Sequence, residues 1–211
     1  MEGALAKIAP VSRESLADLV TYANLLAQWQ KRINLVAPST VTDMEHRHFA
    51  DCLQVHQLIP NARHVIDLGS GAGFPGLVLA ILMANNLEES RVDLIESSSK
   101  KCAFLRTVAR ELDLAAKGCA VHVHAKRIED VLPDLPTSDA ITARALASLS
   151  DLLTMSGDRI SGPCQAIFAK GVQHQSEIAQ ARKTFNFDVE LEPSRLETGS
   201  VLLRVTKVRP L

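Results

Sequence analysis

The 211-residue chain is 46% hydrophobic and 22% charged, with a formal net charge of −1 at neutral pH. That make-up suits a globular protein with one sizeable core and excludes a uniformly basic, nucleic-acid-coating protein, while leaving room for a local basic patch. There is no basic, then apolar, leader pattern and no run near the roughly 18 apolar residues of a membrane span, so a soluble, cytoplasmic protein is expected.

In chain order, the apolar periodicity predicts a helix from near Ser12 to Lys31, with Leu16, Leu19, Val20, Ala23, Leu26 and Ala27 on one stripe. A second helix is predicted near Asp43 to Leu58, after a connector running from Asn34 to Thr40. From Val65 onward the pattern alternates: strand 64–69, helix 75–85, strand 91–96, helix 98–113, strands 120–125 and 139–144, a helix near 148–157, strand 164–170 and helix 173–185. Two final strands, Phe187 to Leu191 and Val201 to Val208, are joined without a helix and so predict an antiparallel hairpin. The expected fold is α/β, a seven-stranded, mostly parallel, doubly wound sheet ending in that hairpin. Residues 1–60 form an N-terminal helical extension that caps a core of residues 61–211.

The most informative stretch is Val65-Ile66-Asp67-Leu68-Gly69-Ser70-Gly71-Ala72-Gly73-Phe74-Pro75-Gly76, a strand passing through four glycines into an apolar helix. Such glycines let the backbone take positive φ and approach a ligand without a Cβ in the way. The pattern Gly71-x-Gly73-x-x-Gly76 satisfies the dinucleotide fingerprint. Asp67, two residues before Gly69, tilts the choice toward a nucleoside ligand with a cationic end, since a carboxylate is a poor neighbour for pyrophosphate. Asp67 is expected at the strand's end beside that ligand, ordering the loop. Glu96 ends the next strand about 30 residues later, where an acid accepts ribose hydroxyls in either reading.

The motif Asp67-x-Gly69-x-Gly71-x-Gly73 resembles motif I of the Rossmann-like methyltransferases. More of the chain is similar to one family, the bacterial 16S ribosomal RNA guanine-N7 methyltransferases, called RsmG or GidB. The resemblance rests on Trp29 followed by Asn34-Leu35, the His48-x-x-Asp51 pair, the loop ending Gly73-Phe74-Pro75-Gly76, Glu96-Ser97 with Lys100-Lys101-x-x-Phe104-Leu105, and Arg144-Ala145-Leu146-Ala147-Ser148-Leu149. It implies a class I fold and S-adenosylmethionine as cofactor. It implies cofactor contacts at Gly69 and Phe74, at Glu96 for the ribose, at Ile128 and Glu129 around the adenine, and at Arg144; the reading of the glycine loop itself adds Asp67, Gly71 and Gly73 to the expected cofactor site. The implied substrate is a guanine of 16S RNA in the small ribosomal subunit. The chain departs from the family's pattern at Gln30 and Val36, where the family commonly has asparagine and threonine.

Guanine N7 carries a lone pair and no proton, so such an enzyme needs geometry more than a general base. Arg144 is then the candidate catalytic residue, in a positioning role. The fourth strand's end reads Ala143-Arg144-Ala145, not the Asn/Asp-Pro-Pro-Tyr/Phe of exocyclic-amine methyltransferases. Lys100, Lys101 and Arg106, with Arg32, Arg47 and His48 from the cap, are candidate RNA contacts, and Lys117, Lys126 and Arg127 lie nearby in sequence.

The four cysteines form no C-x-x-C pair, which indicates reduced thiols in place of a zinc site or disulfide framework. Cys164 is read as a core thiol and Trp29 as a core aromatic. The pairs His46-x-His48 and His122-x-His124 lack an acid or cysteine at ligand spacing, so no metal is expected. A monomer is expected. The competing functions are an NAD-dependent oxidoreductase and a non-catalytic module that binds cofactor or RNA.

Overall fold

The computed structural model describes residues 5, 8, 10–35, 48–86 and 89–211. Among these, the chain forms helices α1 (Arg13–Gln30) and α2 (Ala50–Leu58), strand β1 (His64–Leu68), α3 (Gly76–Ala84), β2 (Ser90–Ile95), α4 (Ser99–Glu111), β3 (Cys119–His124) and β4 (Ala140–Arg144). It continues through α5 (Leu149–Ser156), β5 (Gln165–Lys170), α6 (His174–Ala181), β6 (Phe185–Pro193) and β7 (Val201–Pro210). Short 3-10 turns at Leu132–Asp134 and Gly157–Ile160 complete the order. The predicted connector of residues 36–40, the beginning of the second predicted helix at 43–47, and Arg47 and His46 lie outside the described residues.

The seven strands form one sheet in the order β3-β2-β1-β4-β5-β7-β6. Strands β1 to β5 are parallel, and β7 runs antiparallel to both β5 and β6. The order reverses between β1 and β4, and ligands of open α/β sheets bind at such a switch point, beyond the carboxyl ends of the strands. Alternation along each strand divides the core into two layers. Val65, Leu77, Leu94 and Phe104 belong to the layer toward α3 and α4, and Ile66, Ile95, Phe168 and Leu203 to the layer toward α5 and α6.

Helix α3 is apolar all round, and all nine of its residues are buried. The reason is that β2 and β3 cover one side of it while α1 and α2 pack on the other. The N-terminal helices therefore rest on helices α3 and α4 more than on the sheet itself.

Ser12 caps α1 as its position predicts, its Oγ accepting from the Ser15 amide at 3.1 Å. The buried face of α1 differs from the predicted stripe. It consists of Ser15, Asp18, Leu19, Tyr22 and Leu26, whereas Val20 is 41% exposed and Ala27 is exposed. Polar partners turned the helix. Asp18 meets the Lys117 ammonium at 2.8 Å and Asn85 Nδ2 at 3.1 Å, and the Tyr22 hydroxyl finds the Ala72 carbonyl. Trp29 packs partly buried against Phe104, ring centroids 5.6 Å apart.

Candidate active site

The carboxyl ends of β1, β2 and β4 open into a cleft of about 630 Å³. Its floor is the loop after β1, in which Gly69, Gly71 and Gly73 have φ of 64°, 58° and 98°. These left-handed values require glycine for different reasons. A Cβ on Gly69 would lie 2.6 Å from Leu146 Cδ1, and one on Gly73 would lie 2.7 Å from the Tyr22 hydroxyl, whereas one on Gly71 would meet nothing nearer than 3.7 Å. Gly71 thus keeps an open floor, and Gly69 and Gly73 admit neighbours that hold it.

The loop is tied down from three directions. Tyr22 donates to the Ala72 carbonyl from α1 and stacks on Phe74 at 5.5 Å. Glu96, at the end of β2, accepts from the Gly71 amide at 3.0 Å with Oε2 and from the Ser98 amide at 2.7 Å with Oε1. Behind the loop, Asp67 accepts from the Thr142 hydroxyl at 2.7 Å and from the Gly76 amide at 3.3 Å.

Asp67 requires a correction. It does not line the cleft, and its side chain is fully buried. Strand alternation turns it to the Val65 face, against the start of α3. Gly76 makes the room: a Cβ there would lie 2.7 Å from Asp67 Oδ2 and 2.3 Å from Leu94 Cδ2. Burial pushes the Asp67 carboxyl up to about 6, against the hydrogen bonds from Thr142 and Gly76 that draw it down. In this structure it orders the loop from behind, through Gly76 and Thr142, and its side chain does not line the cleft. Gly73 is likewise outside the lining, because Leu77 and Tyr22 fill the space beside it.

Gly69, Gly71, Phe74, Glu96, Ile128, Glu129 and Arg144 do meet around the one cleft, with His48 and Lys101. Ile128 follows β3 as an apolar wall, 9% exposed, beside Ile95. The opposite wall is Arg144-Ala145-Leu146-Ala147, where Ala145 holds φ of 48°. Arg144 carries an ion pair to Asp51, Nη2 to Oδ2 at 3.5 Å, and its Nη1 is buried with no hydrogen-bond partner among the described residues. The His48 ring, just before α2, stacks on Phe74 at 5.0 Å and lines the cleft.

The basic candidates separate. Lys101, Lys126 and Arg127 line the rim. Arg106 is not there, since its Nη2 donates to the Val123 carbonyl at 2.8 Å and locks α4 to β3. Lys117 is held by Asp18. Lys100 and Arg32 are exposed away from the lining. All four cysteines are buried and free of disulfides. Cys164 lies away from the cleft beside Ser138, and burial pushes its thiol up. His124 pairs with the buried Asp93 at 2.7 Å, while His122 is exposed on the same strand. Among the described residues no group of three or more His, Cys, Asp or Glu side chains is arranged to hold a metal ion, and no helix is long and apolar enough to cross a membrane.

Sequence reasoning did not single out Tyr22 or Thr142, and it took Asp51 and Leu35 as part of the family resemblance without giving either a place in the site. Thr142 reaches Asp67 only because β4 lies beside β1 with Asp67 opposite Thr142, a pairing that local sequence does not express. Tyr22 and Asp51 act at long range, from helices that precede the loop in the chain.

A 3-2-1-4-5-7-6 sheet with a glycine-floored cleft at its carboxyl edge and an acid ending β2 defines a class I methyltransferase fold. Solved structures agree on that fold. A methyltransferase from Geobacter sulfurreducens superposes with a TM-score of 0.57 at 13% identity, covering 97% of this chain and 94% of that one. A putative O-methyltransferase from Klebsiella pneumoniae gives 0.58 at 11% identity, covering 96% and 93%. The sequence carries the assignment further: the profile of GidB, rRNA small subunit methyltransferase G, matches residues 15–199. The ribosomal RNA small subunit methyltransferase G of Brucella ovis is 40% identical over 199 residues, 94% of this chain and 91% of that protein. This chain belongs to that family.

Proposed function

We propose that this chain transfers a methyl group from S-adenosylmethionine to N7 of a guanine in the 16S RNA of the small ribosomal subunit. The observation that carries the reading is the cleft itself, in which the floor at Gly71, the Glu96 carboxylate, the Ile128 wall and the Arg144 guanidinium surround one space.

The residues present fit that cofactor. A Cβ-free floor stands under a carboxylate that has used one lone-pair direction on each oxygen, for Gly71 and Ser98. Two directions are left for the hydroxyls of a ribose. Ile128 offers an apolar face to a purine, and Glu129 an acceptor for its amino group. The unpartnered Nη1 of Arg144 offers a charged donor. When bound, the cofactor supplies a methyl group on positively charged sulfur.

The protein's own work is to hold and orient. Guanine N7 has no proton to lose, so no side chain serves as a general base. Arg144 is the positioning group, able to fork to guanine O6 or to an anionic group of either partner. Fixing two reactants in near-attack geometry contributes on the order of 7–11 kcal/mol, the largest effect such a site has to supply. Phe74, Leu146 and Ile128 exclude water from it. Lys101, Lys126 and Arg127 on the rim meet RNA phosphates. The chain acts as a monomer, and the assembled subunit is its substrate in preference to naked RNA, since so small a protein relies on a structured target to present the base.

The test is tritiated methyl transfer to small subunits from a strain lacking this protein, followed by nucleoside analysis. Labelled 7-methylguanosine is expected, and label in any other nucleoside overturns the reading. Calorimetric titration with S-adenosylmethionine and with reduced nicotinamide dinucleotide separates it from an oxidoreductase, which would bind only the latter. Cofactor binding with no transfer to any subunit would indicate the non-catalytic module.

A further inference from the structure

Arg144 borders two spaces. Its front is on the cleft, and its back is on a small cavity lined also by Asp51, Cys52 and Ile167. Asp51 lines the rear cavity and not the cleft. From there its Oδ2 faces Arg144 Nη2 at 3.5 Å, with both side chains about four-fifths buried, at 22% exposure for Arg144 and 21% for Asp51. Asp51 Oδ1 in turn accepts from Ser194 Oγ, also at 3.5 Å, in the link between β6 and β7. A relay of three side chains thus joins the C-terminal hairpin and the N-terminal helix α2 to the end of β4.

An arginine has four rotatable bonds, and backbone geometry at the end of β4 does not by itself decide where its guanidinium comes to rest. The turn at Ala145, with φ of 48°, fixes the chain and leaves the side chain to be placed. The remaining rear neighbours bring no second negative charge: Ile167 is apolar, and burial pushes the Cys52 thiol well above its ordinary range even with the Arg144 guanidinium within hydrogen-bonding reach, so it stays neutral. A carboxylate behind the guanidinium satisfies one side of the fork and leaves Nη1 without a partner.

We propose that Asp51 is the positioning residue for Arg144, setting from outside the cleft the orientation in which the guanidinium meets the bound groups. This rests on the reading of Arg144 as a residue that touches those groups. On this account the N-terminal helices do more than cover α3: they carry the residue that aims the site.

The experiment compares Asp51→Asn, Arg144→Ala and the double variant in single-turnover transfer of a tritiated methyl group to unmodified small subunits, with thermal unfolding alongside. Asp51→Asn is expected to slow transfer roughly 10- to 100-fold, the cost of misplacing a positioning group by about an ångström, with little change in unfolding midpoint. In the Arg144→Ala background it is expected to cost nothing further. Asp51→Glu keeps the charge and is expected at an intermediate rate; it carries the same cycle if the asparagine variant does not fold. Arg144→Lys replaces Arg144→Ala if transfer by the latter is too slow to measure. A wild-type rate for Asp51→Asn, or an equal loss in both backgrounds, overturns the inference. A wild-type rate for Arg144→Ala overturns the reading beneath it. A slow Arg144→Ala beside a fast Asp51→Asn leaves that reading intact and removes the inference alone.

Discussion

The hydroxyl of Tyr22, on the first helix, donates to the carbonyl of Ala72 in the cleft floor, 50 residues further along the chain. Tyr22 is fully buried and is the chain's one tyrosine, and its ring meets Phe49 edge-on at 5.3 Å and stacks on Phe74 at 5.5 Å. Tyr22→Phe keeps the ring contacts and strands a buried carbonyl. A loss of about 1–3 kcal/mol of stability is expected. Urea unfolding measures it, and calorimetry should show weaker cofactor binding because the floor is less well held.

Gly71→Val should separate binding from folding. The left-handed backbone costs a β-carbon residue about 1–2 kcal/mol, and the new side chain meets no protein atom nearer than 3.7 Å at its Cβ. It therefore projects into the cleft. The variant is expected to fold and to lose measurable S-adenosylmethionine binding by titration calorimetry.

Two buried carboxylates set opposing pH dependences. Asp67 has its folded pKa raised to about 6. The stability contributed by its protonated form is complete below the unfolded value of about 3.9 and lost as pH rises through about 6, a loss on the order of 3 kcal/mol. Asp93 is the reverse. Burial pushes its carboxyl up, but hydrogen bonds from His64, Arg91 and His124 outweigh that and hold it well below the usual range. Its stabilisation is present above about pH 3.9 and lost as pH falls further. Chemical unfolding between pH 3 and pH 7 should therefore show Asp67→Asn flattening the limb from about 4 to 6, and Asp93→Asn flattening the limb below about 4.

The wall that carries Leu146 is braced from below. Lys170 Nζ donates to the Ala147 carbonyl and pairs with Glu177 Oε2 at 2.7 Å, and that same oxygen accepts the Leu149 amide at 2.7 Å. Lys170→Met leaves the carboxylate without its cation and should cost about 3 kcal/mol in unfolding free energy. Limited proteolysis should open the 145–148 segment first.

The rim cations make a salt-dependent prediction. Lys126 and Arg127 are exposed and line the cleft mouth. Replacing both with alanine should weaken binding to small-subunit RNA and reduce the slope of log affinity against log salt by roughly 0.7 for each phosphate that is no longer neutralised. Cofactor affinity should be unchanged.

Local signals made much of this molecule readable. The alternation of strand and helix from Val65, the turn into the glycine loop, the acid ending β2 and the missing helix before β7 all lie within short windows. They correspond to β1 through β7 with boundaries shifted by a few residues at most. Gly69, Gly71, Phe74 and Glu96 meet at one cleft because the unit β1-α3-β2 brings the ends of its two parallel strands to the same carboxyl edge. Ile128 and Arg144 join them because parallel strands share that edge.

What short windows left open was side-chain facing and long-range partners. Asp67 was recognisable as part of the motif, yet strand alternation and the space at Gly76 turned it inward to Thr142, a partner fixed by sheet order. The buried stripe of α1 rotated because Asp18 and Tyr22 found polar partners far along the chain, which hydrophobic periodicity does not count. The same holds for Asp51 behind Arg144. Backbone propensities and apolar patterns act over a few residues and so can be read in order. Pairings between distant side chains exist only once packing has brought their elements together, and those pairings set the aim of this cleft.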